Sequence, residues 1–215
     1  MTEQALPAAP FPGERGPGTP ASTSEEVRRI LARQIAAGEL RPGQRLGAER
    51  ELAAEMGAPV VTTHPGAIPE DRSAPEYQIL LRAITEIARH GERCGGLFCI
   101  ETGQETAEVL RAFLETIGSP HLKVNYDPAN MLRHGPVEGV KTLAPWIVHT
   151  HAKDLDPETH KATLGQGRVP WREYLAALKA IGYDGWSAIE DETGKDVVNS
   201  LKQGRQFLEA ALAER

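Results

Sequence analysis

The sequence predicts an α/β fold: about five parallel strands covered by helices, preceded by a short helical segment. Three observations point there. Apolar or β-branched runs of four or five residues recur after Pro59. Amphipathic stretches of helical period separate them, and repeated strand–helix alternation implies right-handed crossovers and a parallel sheet with covered faces. Before Pro59 no such run occurs, and helical periodicity stands alone.

The first 21 residues carry Pro7, Pro10, Pro12, Pro17 and Pro20 and lack the apolar stretch of a secretory signal, so a disordered arm is expected there. Residues 22–58 follow as a short segment. Ser22 with Glu25 offers a capping box, and Val27, Ile30, Leu31 and Ile35 make one apolar face ending near Gly38. Arg41-Pro42-Gly43 is a turn, and Glu49 to Met56 a second helix closed by Gly57.

Residues 59–215 carry the α/β pattern. The strands are expected at Val60–Thr63, Leu97–Ile100, Leu122–Tyr126, Ile147–Thr150 and Trp186–Ile189. After the first, Ser73 and Glu76 form a capping box for a helix with the face Tyr77, Leu80, Leu81, Ile84 and Ile87. A second helix carries Val109, Leu110, Phe113, Leu114 and Ile117, and stops at Gly118. The connection from Asp127 to Ile147 is irregular, with at most a short helix near Val140. A further helix begins at Pro170, buries Trp171, Tyr174, Leu175 and Leu178, and stops at Gly182. The last presents Val198, Leu201, Leu208 and Leu212.

Composition excludes several function classes. A formal net charge of −6 over 215 residues is not that of a surface built for polyanions, so DNA is not expected as a partner. Two cysteines, Cys94 and Cys99, make neither a disulfide framework nor a double zinc knuckle; buried free thiols in a reducing, cytoplasmic compartment are expected. No run approaches the ~18 apolar residues of a membrane span.

Chemistry concentrates at the strand ends. Each of the five expected strands is followed by a residue able to bind a metal: His64, Glu101, Asp127, His151 and Glu190. Carboxyl ends of parallel strands share one face, where ligand sites form. A single acid in such a place is often only a helix cap, but five of five is a pattern. Carboxylates converging there would repel one another unless a cation joined them.

Residues 59–211 resemble the later part of the xylose-isomerase-like TIM barrels, a superfamily of sugar-phosphate isomerases, ketose 3-epimerases, inosose dehydratases and class II AP endonucleases. The resemblance rests on Val60-Val-Thr-Thr-His-Pro-Gly66, Phe98-Cys-Ile-Glu-Thr102, Val124-Asn-Tyr-Asp-Pro-Ala-Asn130, Val148-His-Thr-His-Ala-Lys-Asp154, Leu164-Gly-Gln-Gly167 with Trp171, and Gly182-Tyr-Asp-Gly-Trp-Ser-Ala-Ile-Glu190. These stretches correspond to strands four to eight of the barrel, so the resemblance implies a partial (β/α) barrel. It further implies that Glu101, Asp127, His151 and Glu190 hold one divalent metal: manganese, magnesium, cobalt or zinc, as suits mixed oxygen and nitrogen donors without thiolate. Glu101 and Glu190 would be acid and base on opposite sides of a sugar or sugar phosphate, moving the proton next to its carbonyl through an enediolate. His64 would line the pocket or take a second metal. Lys153 and Asp154 would contact substrate, and Gly165-Gln-Gly167 would form a mobile lid or a simple loop.

Departures accompany the resemblance. A closed barrel needs eight strands, and helical segments stand where the first three should be. The open edges and inner face would favour a homo-oligomer that covers them, and substrate positioning would suffer more than metal binding. Asn130 stands where several relatives have a histidine, which disfavours the multi-zinc endonuclease reading. Residues 26–57 resemble the start of a GntR-type winged-helix domain, through Gly38-Glu-Leu-Arg-Pro-Gly-Gln-Arg-Leu46 and Ala48-Glu-Arg-Glu-Leu-Ala-Ala-Glu-Met-Gly57, but the recognition helix and wing are missing. Residues 1–58 hold seven Arg and eight Glu, a net of −1, which is no DNA footprint. Three readings stay open: a metal-dependent sugar or sugar-phosphate isomerase or epimerase, active or impaired by truncation, a GntR-type regulator with a sugar-sensing barrel fragment, and a non-catalytic half barrel.

Overall fold

Five strands lie side by side in chain order: β1 (Val60–Thr63), β2 (Leu97–Glu101), β3 (Leu122–Tyr126), β4 (Ile147–Ala152) and β5 (Trp186–Ile189). Every pairing is parallel. The structure, a computed structural model, describes residues 60–194 and 196–213. The expected arm 1–21 and helical segment 22–58 lie outside them. Helices α1 (Pro75–Cys94), α2 (Ala107–Ile117), α3 (Pro136–Leu143) and α4 (Trp171–Ala180) make the four crossovers, and α5 (Val197–Ala213) follows β5. This is the expected partial (β/α) barrel: a curled sheet with helices on its outer face and, among the described residues, open edges at β1 and β5.

The core lies between the sheet's outer face and the helices. Ile100, Val124 and Tyr126 from the strands meet Leu110, Phe113, Leu114, Val140, Leu143 and Tyr174 from the helices, all buried. Each such side chain contributes about 1.5–3 kcal/mol by leaving water. Tyr126 shows why α3 forms despite its weak sequence signal. Its ring stacks on Tyr174 at 6.0 Å, and its hydroxyl donates to the Pro136 carbonyl at 2.7 Å. Gly139 lets that hydroxyl approach, since a Cβ there would overlap it. Tertiary packing thus holds an eight-residue helix that would not stand alone.

Local details depart from expectation in three places. Ser73 and Glu76 do not cap α1. Pro75 occupies its first turn and Ala74 is the cap residue, without a side-chain bond, while Ser73 bonds to Asp71 instead. Pro has no N–H to satisfy, so the cap is dispensable there. On α5, only Leu208 of the four expected residues packs. The docked face is Gly204, Phe207, Leu208 and Ala211, whereas Val198, Leu201 and Leu212 are exposed. Gly204 sets that face by letting the helix approach Ile189 and Leu164. Finally, Cys99 is buried but Cys94, at the end of α1, is exposed. The glycine stops behave as expected: Gly118 and Gly182 adopt positive φ of 66° and 71°. Among the described residues no helix is long and apolar enough to cross a membrane.

Candidate metal centre

Parallel register carries the sequence-predicted acids to one rim. Glu101 closes β2, Asp127 and Glu190 directly follow β3 and β5, and His151 is the penultimate residue of β4. One ligand atom from each of the four lies within 4.8 Å of the other three. His151 is at the middle, its Nδ1 2.8 Å from Glu190 Oε2, 3.3 Å from Glu101 Oε1 and 3.5 Å from Asp127 Oδ2. These four are the metal ligands that the sequence nominates.

Local bonds fix each acid. Asp127 Oδ1 accepts the backbone N–H groups of Ala129 at 2.8 Å and Asn130 at 3.0 Å, and its own N–H donates to Thr102 Oγ1 at 2.9 Å. This turn points Oδ2 into the cluster. Asn130 Nδ2 donates to Glu101 Oε1 and to the Thr102 carbonyl, both at 3.2 Å. Lys153, buried, pairs with Glu190 Oε1 and Glu192 Oε1 at 3.0 Å each and lies 4.0 Å from Asp127 Oδ2.

The donor set fits a divalent cation on two counts. Asp127 Oδ2 and His151 Nδ1 are buried without a well-formed hydrogen bond, and meet each other, the neighbouring acids and Lys153 only as close charge contacts, although buried polar atoms are rarely left so. Both face the cluster centre. Charge agrees in sign: Glu101, Asp127, Glu190 and Glu192 outnumber Lys153, which leaves the site net negative when His151 is neutral, and a dication offsets that charge. Three carboxylates and an imidazole suit manganese, magnesium, cobalt or zinc.

Without a cation the imidazole takes its place. Burial alone would lower the His151 pKa, but its contacts with Asp127 and Glu101 outweigh that and raise it from 6.5 to about 10. Burial would raise the Glu101 carboxyl, yet His151, His64 and Lys153 hold it below the usual range. Lys153 is lifted to about 12, since Glu190, Asp127 and Glu192 overcome its desolvation. One prediction follows. A folded-state pKa above the unfolded value means His151 stabilises the metal-free protein fully below pH 6.5, and that this contribution disappears as pH rises through about 10. Chelator-treated protein, melted across this window, should lose stability as pH rises, and His151→Gln should flatten the dependence.

The other nominated residues fall elsewhere. His64 is exposed, stands outside the cluster and packs against Gly103, two residues from Glu101. Asp154 is buried at 3 % exposure, with its carboxylate taken up by the loop that follows β4. It accepts from the backbones of Leu155, Gly165, Gly167 and Val169 and from Trp171 Nε1, at 2.9–3.1 Å. Gly165-Gln166-Gly167, expected as a mobile lid, is therefore tied down at two of its N–H groups. Two residues under the cluster escaped the sequence reading, Asn125 and His149. Strand alternation was the available signal: each lies two positions before a ligand, on the same face as Asp127 and His151.

Residues 40–211 match the family described as xylose isomerase-like TIM barrel, a match that begins inside the segment 22–58. An uncharacterized protein of Methanocaldococcus jannaschii is 30% identical over 207 residues, covering 88% of this chain and 66% of that protein. D-psicose 3-epimerase of Ruminiclostridium cellulolyticum is 26% identical over 151 residues, covering 63% of this chain and 49% of that enzyme. The chain thus spans between about half and two thirds of the length of these relatives. Among solved structures, a xylose isomerase domain protein from Planctomyces limnophilus superposes with a TM-score of 0.67 at 32% identity, over 75% of this chain and 60% of that one. A D-tagatose 3-epimerase-like protein, at 24% identity and a TM-score of 0.65 over 88% of this chain and 85% of that one, shares the fold.

Proposed function

Because this chain belongs to the xylose isomerase-like TIM barrel family, we propose that it serves a metal-dependent sugar isomerase or epimerase reaction, in which a proton next to a carbonyl is moved. The observation that carries this reading is the convergence of Glu101, Asp127, His151 and Glu190 within 4.8 Å. The D-psicose 3-epimerases among its relatives support a small sugar as substrate.

Glu101, Asp127, His151 and Glu190 would hold the ion. Bound there, a divalent cation polarises the carbonyl and adjacent hydroxyl and eases removal of the proton between them. Glu101 and Glu190 come from β2 and β5, with β3 and β4 between them, so their carboxylates flank the cluster from two sides. One removes the proton and the other delivers a proton to the opposite face or neighbouring carbon, through an enediolate. Lys153 orients Glu190 through the 3.0 Å contact, and its ammonium group at the rim favours an electron-rich substrate oxygen. Asp154 acts one step back, by holding the 155–170 loop beside the site.

Glu101→Gln and Glu190→Gln test this reading. General acid–base groups commonly contribute ~10²–10⁴-fold, so each variant is expected to lose at least ~100-fold in epimer or aldose–ketose interconversion and in solvent-deuterium incorporation at the carbon next to the carbonyl. Wild-type protein that binds Mn²⁺ stoichiometrically yet exchanges no deuterium into any ketose would favour the non-catalytic half barrel instead.

A further inference from the structure

Beneath the cluster, on the inner face of the sheet, Asn125 joins three strands. It is fully buried at 0 % exposure. Its amide nitrogen lies 3.0 Å from His151 Nε2 on β4 and 3.1 Å from Thr62 Oγ1 on β1, and its amide oxygen lies 2.8 Å from His149 Nδ1. Register makes this junction: Asn125 is level with Glu101 on one side and His149 on the other.

His151 presents Nδ1 to the three carboxylates. A cation on Nδ1 leaves the ring proton on Nε2, and among the described residues Nε2 has one hydrogen-bonding neighbour, the Asn125 amide. That neighbour must then accept. An asparagine amide keeps its shape when turned by half about its last bond, exchanging oxygen for nitrogen. After the turn its oxygen accepts from His151 Nε2–H and from the Thr62 hydroxyl, while its nitrogen donates to His149 Nδ1. All three contacts survive, since a hydroxyl can donate or accept. His149 must then carry its proton on Nε2.

We propose that Asn125 is a positioning residue for the metal centre: its amide carbonyl holds His151 Nδ1 toward the cation, and its amide N–H₂ sets the tautomer of His149 in turn. The inference rests on the metal-centre reading, specifically on ligation through Nδ1. Groups behind a ligating imidazole typically carry about 10–100-fold in metal affinity.

Full-length protein labelled with ¹⁵N-histidine and saturated with Zn²⁺, which is diamagnetic, provides the test. Expected in the wild type are a proton on Nε2 of both His151 and His149 in long-range ¹H–¹⁵N spectra. Asn125→Leu should weaken the Zn²⁺ Kd by about 10–100-fold. In Asn125→Asp the carboxylate still accepts from His151 but cannot donate, so His149 should move its proton to Nδ1 while His151 keeps its own on Nε2. A wild-type His149 protonated on Nδ1 in the Zn²⁺-bound protein overturns the proposal without any variant. So does an unchanged Kd in Asn125→Leu, or a His149 tautomer indifferent to Asn125→Asp. Absence of Zn²⁺ binding in the wild type, or ligation through Nε2, is the separate result that defeats the metal-centre reading on which the inference stands.

Discussion

Asp127→Asn is expected to weaken divalent-cation binding by at least about 100-fold, since changes behind a ligand already cost 10–100-fold and this one removes a ligand. Asp127 is the most buried of the four, at 0 % exposure. Its Oδ1 is occupied by the N–H groups of Ala129 and Asn130, so Oδ2 alone faces the cluster, unpartnered. An amide can keep the turn bonds through its oxygen. It then presents N–H₂, a donor with no lone pair to give, where a ligand oxygen should be. The negative charge left for the cation falls by one. Isothermal titration with Mn²⁺ measures the loss, and melting of the metal-free variant separates it from unfolding: having lost the Asp127 contact with His151, it should still melt cooperatively, at a somewhat lower temperature than wild type, while the shift on adding Mn²⁺ disappears. An unchanged Kd would remove Asp127 from the ligand set.

Asp154→Ala should cause the largest loss of stability, on the order of 3–5 kcal/mol, since each buried donor left unsatisfied costs about 1–3 kcal/mol. Five N–H donors converge on its two oxygens. Four belong to the backbone of the loop after β4, which cannot find other buried acceptors, and the fifth is the indole of Trp171, which packs against Tyr174 and Phe207. The substitution therefore strands donors and loosens the seating of α4 and α5 together. Asp154→Asn, which retains one acceptor oxygen, should fall between wild type and Ala. Denaturant unfolding gives the values, and limited proteolysis should cut the variant between Asp156 and Arg168 before any other described segment. A variant as stable as wild type would mean that the loop is held by its apolar contacts, Leu164 and Val169, alone.

Much of the fold was legible because the signals were strong and local. Five strands, the faces of α1 and α2, and the stops at Gly118 and Gly182 follow from period and from turn chemistry. The failures have two origins. Ser73 lost the α1 cap to its own neighbours, since Pro75 occupies the first turn and Asp71 takes the Ser73 hydroxyl. At α3, held by Tyr126, and α5, whose packed stripe is set by Gly204, a contact from elsewhere in the chain overrode the local preference.

The candidate site divides along the same line. The sequence by itself determined which residues reach the rim, because a parallel strand that ends in Glu101, Asp127, His151 or Glu190 has no other face on which to place it. It also determined the donor chemistry, oxygen and imidazole without thiolate. Only the tertiary structure decided that Asp154 belongs to the loop, that Lys153 offsets the cluster's charge, and that Asn125 stands behind His151. Those roles depend on distances of about 3 Å between residues on different strands, and such distances are set by sheet register and curl, which no stretch of sequence encodes alone.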